Sequence, residues 1–369
     1  MDITRSYIIE KLRLVYPHNS HRNIVDVGMI KDVVISPNSS LVEINVASAI
    51  PVMHIKEKLK NDILKVLSNS LNEGVDIKVN VSHKYSSDSN INNIKNVVCI
   101  ASGKGGVGKS TVSSNLAVSL SKKGFKVGLI DADVYGPSMH IMFGVPFEKP
   151  YSVNIKGENM IKPIDSHGVK LLSLGFFTEE GKAIVWRGPM ATKALTQMIH
   201  KAHWGELDFL LVDLPPGTSD IHLSLVQQVC VTGAIIVSTP QHIAISDVKR
   251  GVEMFQSDEI NVPILGVVEN MSYFTPQELP ENKYYIFGKN GVKDISEDLN
   301  IPFLGQIPLV QSIRECADVG MPIVLQENNP NTEIFSDITD RFLEKLDFRN
   351  KNIKKTEKVK ITGMSGCSK

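Results

Sequence analysis

GKGGVGKS, residues 103–110, follows the apolar run VVCIAS (97–102) and precedes a stretch with Val112, Leu116 and Leu120 on one helical face. Strand, glycine-rich turn and helix, in that order, build a cradle for phosphate. The glycines let successive backbone N–H groups curl around phosphate oxygens without a side chain intruding, and the helix points its positive end at the same oxygens. Gly103, Lys104, Gly105, Gly106, Val107, Gly108, Lys109, Ser110 and Thr111 are therefore the expected contacts of a nucleotide. Lys109 is expected to reach the β- and γ-phosphates, and the Ser110 hydroxyl to hold Mg²⁺. Gly124 stops the helix, a residue suited to the left-handed position after a C-cap.

Working outward, VGLIDAD (127–133), FLLVDLPP (209–216), AIIVSTP (234–240) and ILGVVEN (264–270) repeat the short apolar run between helical stretches. Strands buried on both faces have this pattern, and a parallel sheet covered by helices on both sides requires them. The expectation is an α/β fold with a doubly wound, mostly parallel sheet. Ligands of such sheets sit beyond the carboxyl ends of the strands. Asp131 and Asp133 leave one strand together; one could orient an attacking water while the other supports the metal shell. Asp213 ends the next and reads as the carboxylate that holds Mg²⁺ through water, with Pro215, Pro216 and Gly217 as a loop able to sense the γ-phosphate. Strand-end aspartates can equally cap the following helix. Asn270 ends a third run, where its amide could read an adenine edge or cap a helix.

Residues 1–83 read as a small α+β domain. Tyr7, Ile8, Leu12 and Val15 mark a helical start, LVEINVAS (41–48) and VDIKVNV (75–81) alternate like half-buried strands, and Ile55, Leu59, Ile63, Leu64 and Leu67 line one helical face. A linker is expected over 84–96, around SSDSNINN (86–93), the nucleotide domain over 97–347, and a basic flexible tail over 348–369. Forty basic residues balance forty acidic ones, which removes any general pull toward nucleic acid or an anionic membrane. No apolar run approaches the ~20 residues that span a bilayer, and the first residues lack the order of a signal peptide. A soluble, cytoplasmic location is the expectation. Cys99, Cys230, Cys316 and Cys367 are isolated, with no metal-ligand spacing among them.

GKGGVGKS, DADVYGPS (131–138), VWRGPM (185–190), WGELDFLLVDLPPGTSD (204–220) and NMSYF (270–274) together closely resemble the Mrp/ApbC family of ATP-dependent iron–sulfur cluster carriers, relatives of MinD and of the nitrogenase iron protein. The segment 204–220 is the most specific. The resemblance implies a P-loop NTPase that forms a homodimer, binds ATP and Mg²⁺ in each subunit, and passes a cluster from assembly scaffolds to apo iron–sulfur proteins with slow ATP hydrolysis. The pattern KGGxGK resembles that of the deviant Walker A ATPases, in which a second lysine, here Lys104, approaches the nucleotide of the facing subunit. Its physical logic is that of an arginine finger; a solvated surface lysine is the bland alternative.

The chain departs from the family at the cluster. A CPxC motif usually follows NMSYF, whereas Pro276 and Leu279 stand at those positions here. In the small domain, Ile50 precedes Pro51 where many relatives have a cysteine. The cluster ligands are therefore unknown. Cys99 and Cys230 read as core thiols, Cys316 as a partly exposed helical thiol near the site, and Cys367 as the most accessible. Two other functions fit part of the sequence: a MinD- or ParA-like positioning ATPase, and a nucleotide-switched adaptor without its own cluster. Against the first, Ile353, Val359, Ile361 and Met364 form no continuous stripe for a membrane helix.

Overall fold

Along each central strand, neighbouring side chains enter two different cores. Val97, Cys99 and Ala101 pack on one face of the main sheet, and Val98 and Ile100 on the other; Leu210 and Val212 oppose Phe209 and Leu211 in the same way. That is why these strands read as unbroken apolar runs. The computed structural model describes residues 4–17, 22–36, 41–48, 53–71, 75–83, 93–155, 157–177, 188–218, 220–258, 260–276, 278–279, 281–354 and 356. The chain divides into two compact units, 1–89 and 90–369.

The first unit contains α1 (Arg5–Leu12), β1 (Ile30–Ile35), β2 (Leu41–Ser48), α2 (Met53–Ser68) and β3 (Asp76–His83). Its three-stranded sheet has β2 in the centre, antiparallel to β1 and parallel to β3. Thr4 caps α1 by accepting the Tyr7 N–H. Leu59, Ile63 and Leu67 of α2 pack with Ile8 and Leu12 of α1 over Val42, Ile44 and Val46, a small core built by helical and strand periodicity together.

In the second unit β4 (Ile94–Ala101), α3 (Lys109–Lys122), β5 (Val127–Asp131) and α4 (Met139–Met142) come first. A hairpin of β6 (Tyr151–Ile155) and β7 (Glu158–Lys162) follows, then β8 (Ile164–Ser166), β9 (Val169–Ser173), α5 (Gly188–His200), β10 (Leu207–Asp213) and α6 (Asp220–Gln228). The remainder is β11 (Gly233–Ser238), α7 (His242–Gln256), β12 (Ile264–Glu269), α8 (Gly291–Asp298), β13 (Phe303–Gln306), α9 (Gln311–Asp318) and α10 (Pro330–Asn352). The eight-stranded sheet has the order β13-β12-β11-β4-β10-β5-β9-β8 and is parallel except at edge strand β8. The doubly wound expectation is met. β4 sits mid-sheet with crossovers leaving to both sides, so the loop after it opens at a topological switch point.

The ends of this unit differ from the sequence expectation. β4 begins at Ile94, ahead of the apolar run, because polar partners extend it: Lys95 Nζ donates to Asp208 Oδ1 at 2.7 Å, and Asn96 Nδ2 to Asp208 O at 3.1 Å. The last helix runs on to Asn352, past the expected boundary at 347. Arg349 is buried there, and donates to Thr356 Oγ1 and Lys354 O. Ile50, Pro51, Cys367, residues 84–92 of the expected linker and 185–187 of VWRGPM lie outside the described residues. Among the described residues no helix is long and apolar enough to cross a membrane.

Trp204 shows what the specific 204–220 segment does for stability. Its ring is fully buried against the sheet, with Nε1 donating to Met198 O at 3.0 Å. Trp204→Ala is expected to cost about 3–5 kcal/mol of stability in a chemical denaturation series, the usual range for removing a large core side chain.

Candidate functional site

The loop between β4 and α3 folds tightly for local reasons. Ser102 Oγ donates to Lys104 O at 3.0 Å, and Gly106 and Gly108 take φ of 79° and 78°, which glycine adopts without strain. Gly103 lies so close to Asp247 of α7 that a Cβ would run into it, and a Cβ at Gly108 would meet the Asn270 amide. No acidic residue sits in the first turn of α3, so nothing within the helix itself offsets its positive end.

Lys109 and Asp213 form the centre of the site. Lys109 Nζ lies 2.7 Å from Asp213 Oδ2 and 3.8 Å from Asp133 Oδ2. The Ser110 hydroxyl donates to the same Asp213 oxygen at 2.7 Å, and Ser113 Oγ lies 2.5 Å from Asp213 Oδ1. Ser113 is a partner the sequence analysis missed; it stands one helical turn beyond Lys109 and Ser110, a spacing that could have marked it. Burial, partly offset by the Lys109 charge, pushes the Asp133 carboxyl up. Asp133 faces a cavity of about 240 Å³ bounded by the loop, Ser138, Met142 and Pro216.

Asp131, expected beside Asp133 in the chemistry, is a structural anchor. Its Oδ2 accepts the N–H groups of Ser138 and Met139, both at 3.0 Å, and the Ser173 hydroxyl at 2.8 Å, while Oδ1 accepts the Asp133 N–H at 3.2 Å. It is wholly buried. Burial and then the Asp213 charge push its carboxyl up to about 7, against the Met139 N–H, the Ser173 hydroxyl and Lys109. These bonds are those of the helix-capping alternative, and they fasten the 132–138 loop that carries Asp133 to the end of β5. Asn270 likewise serves as a brace, donating Nδ2 to Val107 O at 2.8 Å. Lys104 Nζ donates to Gln241 Oε1 at 3.0 Å, at the N-cap of α7 in its own chain. Gly217 donates its N–H to Ser102 O at 2.8 Å, which fastens the Pro215–Gly217 loop to the end of β4.

Beside the phosphate loop lies a second, larger cleft of about 520 Å³, mostly apolar, lined by Gly108, Thr111, Met271, Leu309, Val310 and Ile313 among others. Its 308–313 wall was not marked by the sequence analysis, because β13 and the turn after it carry no motif. Mg²⁺ prefers one or two carboxylate or hydroxyl ligands, completed by phosphate oxygens and water. Ser110 Oγ and Asp213, in direct contact, supply a donor set of that kind.

The thiols fall differently from expectation. Cys99 is buried, and burial raises its thiol beyond the usual range. Cys230 is exposed instead of core, because α6 ends at Gln228 and leaves it in the following loop. Cys316 is buried instead of partly exposed: it faces inward from α9, and Gln326 Nε2 donates to its sulfur at 2.9 Å. Pro276 and Leu279 lie in a turn closed by Leu279 N–H to Pro276 O at 3.2 Å. Among the described residues, no three His, Cys, Asp or Glu side chains are grouped to hold a metal ion.

Comparison with known proteins shows the family and the fold. A ParA family model, described as the NUBPL iron-transfer P-loop NTPase, matches residues 93–343. An iron–sulfur cluster carrier protein of Synechocystis is 38% identical over 330 residues, covering 88% of this chain and 92% of its own. The iron–sulfur cluster transfer protein NUBPL of Dictyostelium discoideum is 43% identical over 270 residues, 73% of this chain and 82% of its own. Among solved structures, a nucleotide-binding protein of Archaeoglobus fulgidus in complex with ADP has a TM-score of 0.56 at 32% identity, over 67% of this chain and 94% of that one. The cell-division ATPase MinD of Pyrococcus furiosus shares the fold at a TM-score of 0.50 and 24% identity, over 68% of this chain and 99% of its own.

Gly108→Ala tests the loop. A side chain there meets both an unfavourable φ and the Asn270 amide, so the variant is expected to fold, with a small loss in melting temperature, and to show no saturable binding of a fluorescent ADP analogue.

Proposed function

The chain belongs to the ParA/NUBPL family of iron-transfer P-loop NTPases, and from that premise we propose that it binds and slowly hydrolyses ATP as a homodimer while delivering iron–sulfur clusters to apoproteins. The observation that carries the reading is the meeting of Lys109, Ser110 and Asp213 at the phosphate loop, next to an apolar cleft with ample room for a nucleobase.

In this reading the N–H groups of residues 104–110 and the start of α3 receive the β- and γ-phosphate oxygens. Lys109 transfers its ammonium contact from Asp213 to those oxygens. Ser110 and Asp213 would hold Mg²⁺, which would supply neutralisation of the phosphate charge. Asp133 faces the cavity where an attacking water belongs, whereas the Asp131 oxygens are taken up by backbone N–H groups and Ser173; burial also raises the Asp133 carboxyl, which suits it to accept that water's proton. Asp131 positions it. Lys104 releases Gln241 and reaches across a dimer contact to the facing nucleotide. The base lies in the cleft between Met271 and the 308–313 wall.

A second reading has its own support. Pro276 and Leu279 cannot ligate iron, and the described residues group no three ligating side chains. A nucleotide-switched adaptor, in which the scaffold or the recipient supplies most cluster ligands, keeps the family role without a cluster site on this chain.

Lys104→Ala separates binding from turnover. It is expected to bind ATP as the wild type does and to hydrolyse it roughly tenfold more slowly or worse, as loss of a charge-stabilising finger does; unchanged hydrolysis would remove the cross-subunit role. Anaerobic reconstitution with iron and sulfide, followed by iron quantitation and visible absorbance, decides between carrier and adaptor. A stable cluster on the purified chain supports the carrier; background iron with intact ATP binding supports the adaptor.

A further inference from the structure

Two consecutive residues at the end of β12 do different work. Asn270 braces the phosphate loop, donating its N–H to Ser238 O and its Nδ2 to Val107 O, both at 2.8 Å. Glu269, directly before it, is fully buried. Its Oε1 accepts the Ser272 hydroxyl at 2.5 Å and Gln306 Nε2 at 2.8 Å, and its Oε2 accepts the Val292 N–H at 2.8 Å. Gln306 also donates to Asn290 Oδ1 at 3.0 Å. The turn after β12, the start of α8 and the end of β13 are thus gathered on one carboxylate. An ionised carboxylate is acceptor-only, which suits three converging donors and the positive end of a helix.

What this gathering holds is the wall of the nucleotide site. Met271, between Asn270 and Ser272, takes φ of 53°, a left-handed conformation methionine does not favour, so the surrounding bonds must impose it. Just beyond Ser272, Tyr273 O accepts the Leu309 N–H at 2.7 Å, and Leu309 lines the apolar cleft. Phe274 and Tyr284 then exchange backbone hydrogen bonds at 2.8 Å in both directions, closing the exposed segment that contains Pro276 and Leu279. A single stretch of chain therefore runs from the phosphate loop, past the cleft wall, to the surface segment, and Glu269 fixes its root.

We propose that Glu269 is a positioning residue of the nucleotide site. It locks Asn270 against the phosphate loop and Leu309 into the cleft wall, and thereby ties nucleotide occupancy to the order of the exposed Phe274–Tyr284 pairing. The proposal rests on the nucleotide-binding reading above. It adds a named route from the bound nucleotide to the surface where relatives place cluster ligands.

The test titrates Mg-ADP into the full-length wild type, Glu269→Gln, Asn270→Ala and the double variant, with melting temperatures recorded for each. Glu269→Gln keeps the side-chain shape and removes the charge, setting an amide N–H₂ among groups that donate. It is expected to bind ADP roughly tenfold more weakly than the wild type. In the Asn270→Ala background the same change should cost less than about twofold, since both substitutions break one chain of contacts. Hydrogen exchange at Phe274 and Tyr284 should slow on adding ADP to the wild type and not to Glu269→Gln, a readout that general destabilisation does not produce. Losses that multiply in the double variant, or native affinity in Glu269→Gln, overturn the proposal. Ser272→Ala, which removes one donor and keeps the charge, carries the same cycle if Glu269→Gln does not fold, with an expected loss of about threefold. Wild-type protein that fails to bind ADP defeats the nucleotide reading itself, and the proposal with it.

Discussion

A lysine ammonium held almost out of water against a wholly buried carboxylate is the constraint around which this molecule is arranged. Lys109 and Asp213 are each too polar to be enclosed alone, and enclosure of either without its partner costs several kcal/mol. Their contact requires the first turn of α3 and the last residue of β10 to meet, which requires β10 to lie directly beside β4. The central order of the sheet, the exit of the phosphate loop and the serines of α3 that surround Asp213 all follow from that requirement. The same pair gives the site its chemistry. In the proposed function, phosphate oxygens take over the ammonium, and the carboxylate released from it faces the serine hydroxyl that would suit a magnesium ion.

Around this pair, polar side chains act mainly on backbone. Asp131 satisfies the N–H groups of Asp133, Ser138 and Met139, Asn270 holds the Val107 carbonyl, and Glu269 gathers the turn, helix and strand that form the far wall. Each is buried, and each replaces water for groups that the close-packed loops would otherwise leave unsatisfied. In the proposed function these braces stay in place, and the partners that change are those of Lys104, Lys109, Ser110, Asp133 and Asp213.

The surface segment after Asn270 separates shape from chemistry. The turn from Pro276 to Leu279 keeps an i to i+3 backbone hydrogen bond although it carries no thiols. Its position in the fold is set by the Phe274–Tyr284 pairing and by Leu309, none of which depends on a metal. Family membership rests on the sheet and the phosphate loop, so it is compatible with a segment that carries Pro276 and Leu279 in place of thiols.

Much of this was legible in the chain. GKGGVGKS between an apolar run and a helical face marked the phosphate cradle, since four glycines in eight residues suit a loop that wraps an anion with its backbone N–H groups. The recurring apolar runs determined a sheet buried on both faces. What the sequence left open was decided by contacts between distant segments. Asp131 and Asp133 are two residues apart and equally acidic, yet only the packing of Ser173 and the 138–139 backbone on Asp131 makes it an anchor and leaves Asp133 facing the cavity. Cys230 and Cys316 exchanged their expected environments because exposure depends on where α6 ends and which side of α9 faces Gln326. The 308–313 wall and Glu269 carry no local signature at all. Periodicity and glycine placement report on backbone that neighbours in sequence already constrain; which buried polar group meets which partner depends on segments brought together only by the folded sheet.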